Sequence, residues 1–327
     1  MRRCIGLSRA AETTPGRGMW SRHWGQYPPL VLAYVTGGSG FVGGWLCGHL
    51  LAEGDQAVAP TVDIIDSAAI SASIMEVAPE VIYHLAAQAH VGQSWKDPVE
   101  TFRVNALGTL NVLEAARAMA SPPRVVVISS AEVYGNVSEG ELPIVETHPL
   151  EPVSPYGASK VSAEVLARQS FVGGRLDVVC TRAFNHIGPG QSDSFVISGV
   201  ARQIARAERP GADPVVRVGN LEARRDMSDV RDVVRAYRLV ALRGVAGEAY
   251  NVCSGIDHRI GALVEMMISM AARPVRVEVD PARLRPVDLP VQRGNAAKLQ
   301  AHTGWLPVFR IEDSIRDVLE YWRSQAT

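Results

Sequence analysis

Hydrophobic and polar positions follow two alternating rhythms along most of this chain. From Leu30, short apolar runs of strand length alternate with stretches whose apolar residues recur at helical spacing. That succession predicts an α/β fold, a doubly wound parallel sheet covered by helices. LVLAYVT (30–36) is the first expected strand, and it runs through glycines into the apolar-periodic segment Phe41–Glu53. A helix is expected near Ser67–Val77, a buried strand over Glu80–Ala86, and a helix over Thr101–Ala118 with Asn105 inside it. VVVISS (125–130) reads as a strand, Tyr156–Gln169 as a helix, and LDVVCTRAF (176–184) as a strand.

Beyond Asn185 the texture changes. Gly188, Pro189 and Gly190 open a loop, a helix is expected near Val196–Glu208, and the elements that follow are shorter and richer in Arg and Pro. A smaller C-terminal α/β substrate domain is expected there, over 185–225 and 256–327. The main domain would take 30–184, with 226–255 returning to it through the strand AYNVCSG (249–255). Ile311–Trp322 has helical periodicity and should pack on the small domain. Residues 1–29 carry arginines and tryptophans without an apolar stretch of signal-peptide length, and are expected to be a disordered tail.

Composition narrows the classes. The 327 residues are 47% hydrophobic and 20% charged, with a net charge of −1. A near-neutral chain gains little from electrostatic capture by nucleic acid or an anionic membrane, so neither is expected as a partner. No apolar run reaches the roughly 18–20 residues that cross a bilayer. Cys4, Cys47, Cys180 and Cys253 are scattered and form no CxxC pair, and neither HExxH nor a His/Cys cluster is present. Reduced core thiols, no metal and a cytoplasmic location are expected.

Two motifs carry chemistry. TGGSGFVG (36–43) places Gly37, Gly40 and Gly43 between an apolar strand and a helix. Glycines there permit a tight turn and let backbone approach a pyrophosphate at the helix N-terminus; read alone, the same glycines make an ordinary turn. In Tyr156-Gly157-Ala158-Ser159-Lys160, the phenol and the ammonium are four residues apart and share a helix face. A nearby ammonium favours the phenolate and should draw the tyrosine pKa toward neutrality. Ser129 and Ser130, at the end of the strand upstream, offer hydroxyl donors.

TGGSGFVG, HLAAQAHV, FRVNALGTLNVLEAAR, SSAEVYG and PYGASK, in this order, resemble the extended short-chain dehydrogenase/reductase family, over nearly all of Leu30–Trp322. The resemblance implies a Rossmann domain that binds NAD(H) or NADP(H). Gly37, Gly40, Phe41, Val42 and Gly43 would form the phosphate loop, Asp63 and Ile64 would lie against the adenine, and Leu85, Ala86 and Ala87 would line the cofactor groove. It also makes Tyr156 the catalytic acid/base, Lys160 the holder of the nicotinamide ribose and Ser130 the partner of the reacting oxygen.

TRAFNHIGPGQ (181–191), VRVGNLEARRDMSDVRDVVRAY (216–237) and RLRPVDLPVQRGN (283–295) are similar to the GDP-mannose branch. Within it the resemblance implies a GDP-sugar substrate and reduction of the C4 ketone of GDP-4-keto-6-deoxy-D-mannose. Gly190 and Gln191 stand where dehydratases of the branch carry a basic pair. Glu132 matches the base of 4,6-dehydratases, so 4,6-dehydration is the alternative, while Ala131 replaces a hydroxyl or carboxyl found in many of them. A buried structural role for Glu132 is a further reading. Asn185, Arg225, Arg285 and Asp288 fall at positions that contact the GDP-sugar; as residue types, arginines offer forked donors to a diphosphate and a carboxylate suits ribose or base donors. With Arg224, Asp226, Asp229 and Arg231 close by, a salt-bridged surface is the plainer reading of this stretch. His90 and His186 are expected to pack rather than catalyse. Related enzymes pair as homodimers through helices matching Asp97–Ala118 and Ser154–Gln169.

In one place the chain departs from the pattern. QAVAPTVDIID (56–66) leaves few residues between the first helix and Asp63, where relatives have a second strand, a charged loop and a further short strand. Neither an acidic residue for a ribose 2′-hydroxyl nor an arginine for a 2′-phosphate is present. A protein that kept the fold and lost cofactor clamping, a non-catalytic nucleotide-binding partner, is the reading this loss would favour.

Overall fold

The computed structural model describes residues 30–174, 176–284 and 289–326; the expected N-terminal tail, Arg285 and Asp288 lie outside them. The chain runs β1 (Leu32–Thr36), α1 (Phe41–Ala52), β2 (Gln56–Val58), α2 (Ser67–Val77), β3 (Val81–His84), α3 (Val91–Lys96), α4 (Pro98–Phe102) and α5 (Gly108–Arg117). Then come β4 (Arg124–Ser130), α6 (Pro155–Val172), β5 (Val178–Ala183), β6 (Asn185–Ile187), α7 (Val196–Ala207), β7 (Val215–Val218), β8 (Arg224–Asp229) and α8 (Val230–Arg243). It ends with β9 (Ala249–Val252), β10 (Asp257–Arg259), α9 (Ile260–Ser269), β11 (Arg276–Val279), β12 (Val291–Gln292), α10 (Ala297–Thr303) and α11 (Ile311–Gln325).

Six strands form a parallel sheet in the order β2-β1-β3-β4-β5-β9. Valine-rich β4 and β5 are buried on both sides, as a parallel sheet between helices requires. One face packs on α1, α8 and α10 with Trp305, and the other on α2, α5 and α6. Strand order reverses between β1 and β3, which opens a crevice at their C-terminal ends, where ligands of such sheets bind. The shortened segment before Asp63 leaves three-residue β2 as the sheet's edge among the described residues.

A second core joins α7, α9 and α11 to β7 and β8. Next to it lie a small sheet of β10, β8, β12 and β6 and a β11–β7 pair. Three expectations need correcting. The helix expected over Thr101–Ala118 is α4 and α5 joined by a π-turn at Arg103–Leu107, which turns Asn105 inward. β8, expected in the main sheet, belongs to the small one, and only α8 and β9 return. Within 256–327, Leu299 and Trp305 pack back into the main core, because α10 lies against α8 and β9. Among the described residues, no helix is long and apolar enough to cross a membrane.

Candidate active site

The turn after β1 is shaped by close backbone contact. Gly37 has φ +70°, and a Cβ there would lie 2.8 Å from the Ala86 nitrogen. A Cβ on Gly43 would lie 2.2 Å from the Gly37 carbonyl oxygen, so the first turn of α1 is pressed onto the loop. Gly40 precedes α1, and no side chain caps the helix there, whereas Asp66 caps α2 and Ser154 caps α6. The first N–H groups of α1 thus face the crevice, an arrangement suited to a diphosphate. Leu85, Ala86 and Ala87 are partly exposed along the same groove. Asp63 is exposed on its rim, with Oδ1 accepting from the Ile65 N–H at 2.9 Å. The Ile64 side chain is buried against Gly108, so only its backbone can meet an adenine. The site therefore fits a dinucleotide.

Behind the groove runs a chain of buried hydrogen bonds. The Thr109 hydroxyl donates to the Asn105 carbonyl (2.6 Å) and accepts from His84 Nε2 (2.9 Å). His84 Nδ1 then accepts from the Thr36 hydroxyl (2.9 Å), whose oxygen accepts from the Ala86 N–H (3.1 Å). Burial pushes the His84 pKa down to about 3, and the charge of Lys160 adds to the effect, so the ring stays neutral. The Asn105 amide donates to the Gln88 carbonyl (3.0 Å) and the Ser159 hydroxyl (2.9 Å), tying the groove to α6.

Ser154 Oγ accepts from the Gly157 N–H at 3.0 Å and starts α6, so Tyr156 enters the site on its first turn. The Tyr156 side chain is buried near Ser130, which ends β4 and whose Oγ accepts from the Glu132 N–H at 3.2 Å. Glu132 stands in the short turn that follows, half-buried. Lys160 is buried, and its Nζ donates to the Ile128 carbonyl at 2.8 Å. One expectation is corrected here. Burial pushes the Tyr156 pKa up to about 12; the neighbouring Ser130 side chain opposes this, and the nearby charge of Glu132 adds to it. Desolvation of the phenolate sets the direction, and burial pushes the Lys160 pKa down as well, to about 8.

Across the crevice, Asn185 is exposed at the start of β6. Arg225 is buried rather than open to the groove: its Nη1 donates to the carbonyls of Arg224 (2.9 Å) and Leu289 (2.7 Å), which anchors the segment leading into β12. His186 donates from Nδ1 to the Phe184 carbonyl (3.0 Å) and stacks on Phe41, and Trp45 donates to the Pro189 carbonyl (3.0 Å). The loop after β6 thereby grips the N-terminal half of α1. His90 caps α3 and meets Phe195 edge-on at 5.7 Å.

The site contains polar residues that pattern reading passed over. Thr36, His84 and Thr109 are one group, and Glu164 with Arg182 is another; their signal was a polar residue within or ending a buried strand, and a carboxylate one helical turn beyond Lys160.

Residues 59–318 match the family model described as GDP-mannose 4,6 dehydratase. The chain is 40% identical over 296 residues to GDP-6-deoxy-D-mannose reductase of Pseudomonas aeruginosa, covering 89% of this chain and 97% of the relative. It is 27% identical to GDP-mannose 4,6-dehydratase of Vibrio cholerae, over 79% of this chain and 76% of that one. Among solved structures, RMD from Pseudomonas aeruginosa complexed with NADPH superposes with a TM-score of 0.84 at 37% identity, covering 90% and 99% of the two chains.

Proposed function

This chain belongs to the GDP-mannose 4,6-dehydratase family of extended short-chain dehydrogenases/reductases, and on that premise we propose that it is an NAD(P)H-dependent enzyme reducing the C4 ketone of GDP-4-keto-6-deoxy-D-mannose to GDP-D-rhamnose. The observation that carries the reading is the buried pair Tyr156 and Lys160, one turn apart at the start of α6 and facing the end of β4 at Ser130, with the phenol kept protonated through the neutral range. Gly37, Gly40 and Gly43 would hold the diphosphate of the cofactor, with Lys160 at its ribose. When bound, NAD(P)H supplies a hydride to C4.

Ser130 and Tyr156 hold the ketone oxygen and fix which face of the sugar is open. Tyr156 releases its proton to the oxygen as negative charge develops there. A phenol with its pKa near 12 loses that proton only to a stronger base, which the forming alkoxide is. Oxidation at C4, the first half of a dehydration, asks for the phenolate instead. Asn185, exposed at the start of β6, would meet the GDP-sugar.

The 4,6-dehydratase reading is favoured by Glu132, whose carboxylate stands close enough to Tyr156 to raise its pKa. Cofactor balance separates the two. With GDP-4-keto-6-deoxy-mannose, the proposed reaction oxidises one NAD(P)H per sugar, seen as loss of nicotinamide absorbance. Formation of a 4-keto sugar from GDP-mannose without net cofactor change would transfer the assignment to dehydration. Binding of GDP without NAD(P)H in calorimetry would indicate a non-catalytic partner.

The reading includes a homodimer. On adjacent α4 and α6, Val99 and Val165 are 78% and 59% exposed, an apolar surface that a second copy would cover. Val165→Asp is expected to convert a dimer to a monomer in sedimentation; a wild type that sediments as a monomer refutes the proposal. The buried thiols Cys47, Cys180 and Cys253 suit a reducing compartment such as the cytoplasm.

A further inference from the structure

Lys160 and Glu164 lie one helical turn apart on α6 and are both buried. Arg182, in the middle of β5, grips the Glu164 carboxylate with Nε (3.1 Å to each oxygen) and Nη2 (2.8 Å). The guanidinium is fixed in turn. Its Nη1 donates to the Tyr134 hydroxyl (2.9 Å) and the Glu146 carbonyl (2.8 Å), and its carbon sits 5.0 Å from the centre of the Tyr134 ring. Tyr134 donates to Asn251 on β9 at 2.7 Å. Five segments thus lock this carboxylate in place.

We propose that Glu164 is a positioning residue, its immobilised carboxylate keeping the buried Lys160 ammonium charged and seated on the Ile128 carbonyl. Lys160 is the group it acts on. Around Lys160 the ionisable groups are Tyr156 and Glu164 on its own helix, neutral His84 on β3, Arg182 behind Glu164 on β5, and Glu132 beyond Tyr156. Of these, Glu164 is the one that favours the charged lysine against burial. The role of Lys160 at the cofactor ribose rests on the proposed function; its ionisation does not.

The chain has three lysines, Lys96, Lys160 and Lys298, so each can be followed in a carbon-13 lysine NMR titration of the full-length protein. Glu164→Gln leaves Arg182 with a neutral partner and is expected to lower the Lys160 midpoint by about half a pH unit or more. In parallel, the pH above which turnover falls should move down. Because a lone buried guanidinium can unfold the chain, the double variant Glu164→Gln/Arg182→Met supplies a neutral, well-packed site. It is expected to recover thermal stability while the Lys160 midpoint stays low. A midpoint unchanged in a folded variant, or restored to the wild-type value in the double variant, overturns the proposal. If wild-type protein shows no reductase turnover, the proposed function fails, and the NMR midpoints still decide the place of Glu164.

Discussion

Tyr156→Phe is expected to lower kcat by about 10²–10⁴-fold, the range over which a positioned acid contributes to a proton-transfer step. Phenylalanine keeps the ring and its packing at the start of α6, and removes only the hydroxyl near Ser130. Ground-state binding should survive, since the cofactor groove is built from the turn after β1 and the segment after β3 rather than from this ring. Steady-state turnover with GDP-4-keto-6-deoxy-mannose, paired with calorimetric titration of GDP and NADPH, separates the two effects. Near-wild-type turnover would remove Tyr156 from the chemistry. A matched loss of binding and turnover would make it a packing residue.

The second large effect lies in the loop. In Gly43→Ala the new methyl group would stand 2.2 Å from the Gly37 oxygen and 2.7 Å from the Gly38 Cα, both backbone atoms that cannot swing aside. Forcing them apart costs about 1–3 kcal/mol. Taken out of cofactor binding, that is roughly 5- to 150-fold in Kd for NADPH. Gly44→Ala is the control, because its Cβ would meet nothing nearer than the Gly38 oxygen at 4.0 Å. It should bind as wild type and, as a helical Gly→Ala change, melt no lower. Equal Kd values for the two variants would show that the loop does not cradle the cofactor.

The parts of the fold that could be read in the sequence are those set by local pattern. Alternation of valine runs with helical periodicity gave β1, β3, β4 and β5 and their helices, and α2 falls on the expected Ser67–Val77 because Asp66 caps it. The pairing of Tyr156 and Lys160 follows from spacing, since a helix repeats its face every fourth residue. Quantities set by distant segments were not legible. The acidity of Tyr156 depends on how deeply α6 is buried. Arg225 faces inward because Leu289, 64 residues later, brings a carbonyl to it. Asn105 sits in a π-turn because its partners come from Gln88 and Ser159. Patterning is a property of neighbours in sequence; burial and register belong to neighbours in space.

The two cores share a seam. Asp226 on β8 accepts hydrogen bonds from the backbone of Ser254, Gly255 and Gly294 and from the Ser254 hydroxyl, binding together three stretches of chain that return at different times. With β9, α10 and Trp305 lying in the main core although elements of the small one come before and after them in sequence, neither half is a contiguous module. Grafting sugar selectivity from a relative is therefore not a matter of joining one front half to one back half. A working chimaera must exchange the segments that build the small core and keep β9, α10 and Trp305 from the recipient, with Asp226 and its donors taken from a single parent.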